Sequence, residues 1–214
     1  MIIKIKNYFA NKKKHIKENW KKILFNYLTF ISTFIILLIV DQVTKHTISS
    51  IVPENTKYDY TFIGFSYTLH RGITIIKNIN SVGWVFLHIL SIVLLIFLFL
   101  TPLFINKTIP LLAFATIAAG DLGNFIDRMI DYPNNGVIDI IYSPFFEKWV
   151  GRDLGIFNFA DTYIISGGLL MLIYVIFTQF LSTSKEEKEE ELIQYDLVID
   201  PIVLETINKN NKNK

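Results

Sequence analysis

The residues best placed to do chemistry are acids at the edges of apolar runs. In GIFNFADTYIIS, residues 155–166, Asp161 stands at the mouth of a long apolar segment. A carboxylate at the edge of a membrane helix is costly and is read by default as a functional group. Asn158 lies three residues earlier, on the same face of a helix that begins there. A plain N-cap accounts for Asp161 equally well, because its carboxylate would accept orphan amide protons. Asp139 sits in a strand-like apolar run, Val137-Ile138-Asp139-Ile140-Ile141, where a lone carboxylate is expensive unless paired or protonated. The neighbouring acids have cations close by in sequence. Asp127 adjoins Arg128, and Asp41 precedes Lys45 by four residues, the order that favours an ion pair. That asymmetry singles out Asp139 and Asp161. Two carboxylates brought together share a proton. One then deprotonates a water while the other protonates a scissile carbonyl, which hydrolyses a peptide without a metal or covalent intermediate. Intramembrane acids also serve proton relays and ion pathways, so the chemistry stays open at this level.

The elements that must position these residues are membrane helices. Residues 23–40 hold no charge and are long enough for a first span. A cleaved signal peptide is the rival reading, but Asp41-Gln42-Val43-Thr44-Lys45 follows in place of a small-x-small cleavage site. Residues 82–105 and 109–126 form a second and third span around a tight turn with Lys107, and Pro110 suits the first turn of the third helix. The third span is less apolar, and its AFATIAAG run allows close packing. Residues 162–181 form the fourth. The first outer segment, 47–80, is rich in β-branched and aromatic residues and suggests a few short strands on the membrane surface. The second, 131–157, carries the turn signal Pro133-Asn134-Asn135-Gly136 and a short interfacial helix over 145–150. The fold class expected is an all-α membrane protein of four transmembrane helices, with a small β-rich cradle and a short interfacial helix.

Charge distribution sets the topology. The chain has 214 residues, 51% hydrophobic, with a net charge of +2. Residues 1–22, a head that reads as helical, hold eight lysines against Glu18, whereas 182–214 hold five lysines against eight acids. The basic head stays inside, which makes both termini cytoplasmic and the 23–181 core the membrane domain. Asp41, Lys45, Asn124, Asp127, Arg128, Asp139, Asn158 and Asp161 then gather near the outer boundary. Asn124, Asp127 and Arg128 share one helix face at i, i+3, i+4. The tail is expected to be mobile, apart from local packing over 197–207. Nucleic-acid binding would need basic residues organised on a folded domain, and none are. Cysteine is absent, which removes disulfides and thiolate sites. His15, His46, His70 and His88 are scattered without an HExxH pair, so neither a metal site nor a cofactor is expected.

Four blocks in order resemble the lipoprotein signal peptidase (signal peptidase II) family: Asp41-Gln42-x-Thr44-Lys45, Gly123-Asn124-x-x-Asp127-Arg128, Gly136-Val137-Ile138-Asp139 and Phe157-Asn158-x-Ala160-Asp161. The resemblance covers about residues 31–168. It implies an aspartic endopeptidase of the bacterial inner membrane that cleaves diacylglyceryl-modified prolipoproteins before the lipobox cysteine. It makes Asp139 and Asp161 the catalytic pair. Asn124, Arg128 and Asn158 shape the site, with Asp127 and Ala160 beside them, and Asp41 and Lys45 stabilise the outer end of the first helix. The implied partners are the lipopeptide substrate, approaching laterally, and membrane lipid; a monomer is expected.

Two departures bear on this. Where the family carries Asn-x-Gly, this chain has His70-Arg71-Gly72-Ile73-Thr74-Ile75. His70 supplies a hydrogen-bonding group near the acids but also a titrating one. Asp121 stands where the family prefers a small residue, one turn from Asn124. They motivate a rival reading, a family member that binds lipopeptide without cutting it. A proton-coupled carrier is weaker, because the acids sit at one boundary and no repeat is visible. His88 reads as an interhelical hydrogen-bonder, Gly167-Gly168 as a close-packing site, and Trp20, Trp84 and Trp149 as interface anchors.

Overall fold

The computed structural model describes residues 2–72 and 79–212. Five helices and three strands follow in the order α1 (Ile2–Ile51), β1 (Lys57–Tyr60), β2 (Ile63–Arg71), α2 (Ser81–Leu100), α3 (Thr108–Ile130), β3 (Gly136–Tyr142), α4 (Pro144–Val150) and α5 (Phe159–Lys212). Four helical stretches are long and apolar enough to cross a membrane: Asn19–Ile51, Ser81–Leu103, Thr108–Ile130 and Phe159–Ser184. The chain divides into two compact units, Met1–Met171 and Leu172–Lys214. The first holds everything described below. The second is the remaining helical run of α5.

Helix α3 is the centre of the first unit. Half of its apolar window is buried, against 6% for α2. Small residues make this possible: Ala113, Ala115, Ala118, Ala119, Gly120 and Gly123 are all buried, so neighbouring backbones approach closely. A cluster of Phe30, Phe34, Leu98, Ala115, Ala118 and Ala119 joins α1, α2 and α3. Phe99 meets the rings of Phe30 and Phe34 edge-on at 5.3 and 5.0 Å, the arrangement aromatic pairs prefer.

Several boundaries differ from the expectation, each for a local reason. Helix α1 does not stop near residue 40 but runs to Ile51, because Asp41 and Lys45 are paired and fully buried and need no water. A kink at Asn19 separates the head from the span. Helix α2 ends at Leu100, and a single 3-10 turn, Thr101–Leu103, holds Pro102; proline cannot continue the helical ladder. Asn26 of α1 donates to the Ile105 and Pro102 carbonyls that this ending frees. The tail is helical through Lys212, as a run rich in Glu and Lys favours; the side chains of 197–207 lie outside the described residues. Gly167 packs closely as expected, since a Cβ there would meet Ala113 O at 2.8 Å, but Gly168 faces open space.

The three strands form one antiparallel sheet, ordered β1-β2-β3. A register shift lies between Phe65 and Thr68, beyond which Thr68 pairs with Asp139 and His70 with Val137. His70 and Asp139 are therefore diagonal neighbours on one face. The amides of Ile140 and Ile141 both donate to Phe157 O, which ties the residue before Asn158 to the strand that carries Asp139. The turn residues 133–135 precede β3, with Asn135 at φ 58°. Ser143 and Pro144 start α4 as the N-cap and first helical residue, and Gly151 ends it at φ 74°, a left-handed end that suits glycine.

A Cβ on Gly120 would collide with Ala160 O and come within 2.8 Å of Ile164. Gly120→Ala should lower stability by about 1–3 kcal/mol, whereas Gly168→Ala should leave it unchanged; thermal unfolding of the two variants in detergent checks the contrast.

Candidate active site

The sequence-predicted residues gather at the end of the helical unit that carries the sheet. Asp139, Asp161, Asn124, Arg128, His70 and Gly72 line one cavity of about 260 Å³. Asn158, Asp41, Lys45, Asp127 and Ala160 do not line it; they form a layer behind the lining residues, Lys45 bonded to Asn124 and Asn158 to Asp139 and Asp161. Residues 73–75 of the His70 motif lie outside the described residues.

That layer is a buried ionic knot. Lys45 is fully buried, and its ammonium reaches Asp41 Oδ2 at 2.9 Å, Asp127 Oδ2 at 2.9 Å and Asn124 Oδ1 at 3.0 Å. Its three protons are thereby all used. Asp127 was expected to pair with Arg128; its cation is Lys45, because that face of α3 turns toward α1. Gln42 Nε2 donates to Asp41 Oδ2, Asp127 Oδ1 and Gly123 O. The amide of Ala160 donates to Asp41 Oδ1 at 2.8 Å, and the amide of Ile138 to Asp127 Oδ2 at 3.2 Å. One lysine thus ties α1 and α3 directly, and through the two carboxylates also the start of α5 and β3. Gly123 allows it, since a Cβ there would stand 2.5 Å from Asp41 Oδ2. Gln42 and Gly123 belong to the site although neither was singled out as a candidate; both stand inside the quoted motifs, which was the available signal.

Asn158 holds the two candidate acids. Its side-chain oxygen accepts from the Asp161 amide at 2.9 Å, while Asp161 Oδ2 accepts from the Asn158 amide at 3.3 Å. This is a reciprocal capping box. The cap is Asn158, not Asp161, which sits at the third helical position. The Asn158 side-chain nitrogen donates to Asp139 Oδ1 at 2.8 Å and to Ile138 O at 3.2 Å. Asn124 donates to Asp161 Oδ1 at 2.8 Å while accepting from Lys45, so the knot orients Asp161 through Asn124. His70 Nδ1 stands 4.0 Å from Asp139 Oδ2. Burial first, and the Asp161 charge second, push the Asp139 carboxyl up to about 7 against the opposing Asn158 hydrogen bond and Lys45 charge. At neutral pH Asp139 is therefore poised between acid and carboxylate.

Of the two departures, His70 stands beside Asp139 and Asp121 has a partner of its own. Asp121, whose partner was unidentified from sequence, accepts a 2.9 Å hydrogen bond from Ser91 of α2. His88 was expected to hydrogen-bond between helices. Its ring instead packs edge-on against Phe125 at 5.7 Å and tilts on Trp84, and its Nε2 is buried without a partner among the described residues.

Four apolar helices, a three-stranded cradle and two carboxylates lining one cavity describe a membrane-embedded enzyme. Comparison with known proteins names its class more narrowly. The family model described as signal peptidase (SPase) II matches residues 33–177. The chain is similar to the lipoprotein signal peptidase of Borrelia hermsii, 32% identical over 154 residues that cover 69% of this chain and 89% of the relative. It is also similar to that of Staphylococcus haemolyticus, 34% identical over 149 residues, 66% of this chain and 87% of the relative. Among solved structures it resembles a bacterial membrane enzyme determined by the in meso method at 1.9 Å resolution, with a TM-score of 0.59, 28% identity, and coverage of 69% of this chain and 92% of that one. The chain belongs to the signal peptidase II family and is a multi-pass membrane peptidase.

Removing the knot's cation leaves two buried carboxylates facing each other. Lys45→Met should cost about 3–5 kcal/mol, and adding Asp127→Asn should restore part of it. Unfolding midpoints of the single and double variants in detergent measure both.

Proposed function

We propose that the chain removes signal peptides from diacylglyceryl-modified prolipoproteins as an aspartic endopeptidase, cutting before the lipobox cysteine. The supporting observation is the Asn158 side chain, which holds Asp139 with its nitrogen and the first turn of α5 with its oxygen. The two acids thereby face one cavity in a fixed relation. The curated relatives' name, lipoprotein signal peptidase, points to the substrate class.

The chemistry follows from how the acids differ. Asp139, raised to about 7 by burial and the neighbouring charge, holds a proton over much of the physiological range and donates it to the scissile carbonyl oxygen. Asp161 accepts N–H bonds from Asn124 and Asn158, as a carboxylate does, and takes the proton of the attacking water. The acids have then exchanged protonation states; as the tetrahedral intermediate collapses, Asp161 gives its proton to the leaving amine and Asp139 takes one from the gem-diol, which restores the starting pair. Arg128 lines the same cavity and balances the charge of the pair. The knot keeps Asn124 and Asn158 from reorienting between steps, which is the positioning part of catalysis. The basic head places both termini in the cytoplasm, the site near the outer face of the inner membrane, and the substrate in the surrounding bilayer. The enzyme acts as a monomer without metal or cofactor.

Asp139→Asn and Asp161→Asn should each abolish cleavage of a lipidated prolipoprotein by purified protein while leaving it inserted; near-normal turnover by either variant would reject the dyad. Millimolar EDTA should leave turnover intact. The pH dependence has a defined sign. Because the acid form of Asp139 is the proton donor, kcat/KM should fall about tenfold per pH unit above about pH 7. A folded-state pKa raised above 3.8 destabilises the fold progressively as pH rises from about 4 to about 7. Asp139→Asn should accordingly raise Tm at pH 8 and change it little at pH 4.

A further inference from the structure

Behind the dyad cavity lies a second hollow, of about 160 Å³, between α2 and α3. The two share Asp121 and Arg128 as walls, so they are separated by a single layer of side chains. Leu87, Leu90, Leu94 and Phe125 give the hollow an apolar rim, and Leu90 is half exposed toward the surroundings of the helical unit. Its floor is polar. His88 and Ser91 are three apart on α2; Asp121 and Arg128 are seven apart on α3, with Phe125 between them.

Two of these polar groups lack partners among the described residues. His88 Nε2 and Arg128 Nε are both buried and make no hydrogen bond to any of them. Ser91 is committed to Asp121. A polar atom left without a partner in an apolar setting is costly, and the two side chains that carry these atoms line the same hollow; His88 Nε2 donates in one of the two neutral tautomers. The charge around it selects the acceptor. Asp121, Asp127, Asp139 and Asp161 all act electrostatically on Arg128, so one cation faces four acids and a phosphate or other anion is disfavoured. An uncharged acceptor on an apolar body fits: the carbonyl of a fatty-acyl ester.

We infer that this hollow is the subsite for an acyl ester of the substrate's diacylglyceryl group, read by His88 and Arg128. This rests on the peptidase reading above. The shared Asp121–Arg128 wall favours the substrate's own lipid over a bystander, because the glyceryl group is attached to the residue next to the scissile bond. His88, Ser91 and Asp121 thereby become specificity residues and not incidental polar groups in a span.

The test compares a diacylglyceryl prolipoprotein peptide with its dialkyl-ether analogue, which keeps the chains and removes the carbonyls. Both are presented in nanodiscs of ester-linked and of ether-linked lipid. The wild type should show a KM about fivefold higher for the ether substrate, the size of one neutral hydrogen bond, with kcat unchanged. His88→Phe, which keeps the ring packing on Phe125, should reduce the difference below about twofold. Equal KM for both substrates would overturn the assignment, and so would a preference that follows the nanodisc lipid and not the substrate. The same ratio is read as Kd on the Asp139→Asn/Asp161→Asn variant. An ester preference there without wild-type turnover would keep the subsite and reject the peptidase.

Discussion

The structure depends on one ammonium. Lys45 is completely buried and satisfied by two carboxylates and an amide oxygen, and the same carboxylates accept the Ala160 and Ile138 amides. Removing water from three charges is expensive, and the geometry offsets this by leaving no lone donor. In exchange, α1, α3, α5 and β3 are locked at a single point. The candidate acids are the next layer out. Asn124 touches Lys45 on one side and Asp161 on the other, and Asn158 joins Asp161 to Asp139. Positions around the candidate acids are thus inherited from an ion cluster that does not line their cavity.

Much of this was legible in the sequence, and the limits are specific. Apolar length revealed the four spans, and β-branched alternation revealed the cradle. Burial of Asp139 in an apolar run followed from its neighbours. Adjacency misled where helical geometry overruled it: Asp127 and Arg128 are consecutive, yet they point about 100° apart on a helix, and Asp127 turns to Lys45. The Asp41–Lys45 pair was readable because i, i+4 spacing is a contact rule, whereas the third member was 82 residues away by number. The end of α1 was misjudged for a related reason. A charged pair reads as the edge of a membrane span unless its distant partners are known. The Ser91–Asp121 bond and the unpartnered His88 have no local signature, because each depends on how α2 rotates against α3.

The first turn of α5 shows function and stability resting on the same atoms. The capping box requires an acceptor at Asp161 and a donor-acceptor side chain at Asn158, which is also what the proposed chemistry requires. The alternatives weighed from sequence, a cap or a functional acid, are therefore one arrangement. The family signature Asn-x-Ala-Asp acquires a physical reading: asparagine to cap and bridge, alanine because Gly120 and Gly123 pack against it, aspartate to close the cap and face the cavity.

The wide sequence separation within the knot bears on biogenesis. Asp41 and Lys45 leave the ribosome together and neutralise each other within one helix, so the first span can enter the bilayer as a dipole without a net charge. Asp127 joins only when the third span is in place, and the Ala160 amide only when the fourth begins. The cluster that organises the site is consequently completed only when α5 begins, and a chain interrupted before α5 carries Asp41 without its Ala160 partner. An unfinished cluster therefore leaves a buried carboxylate short of a hydrogen bond, which is costly in an apolar setting.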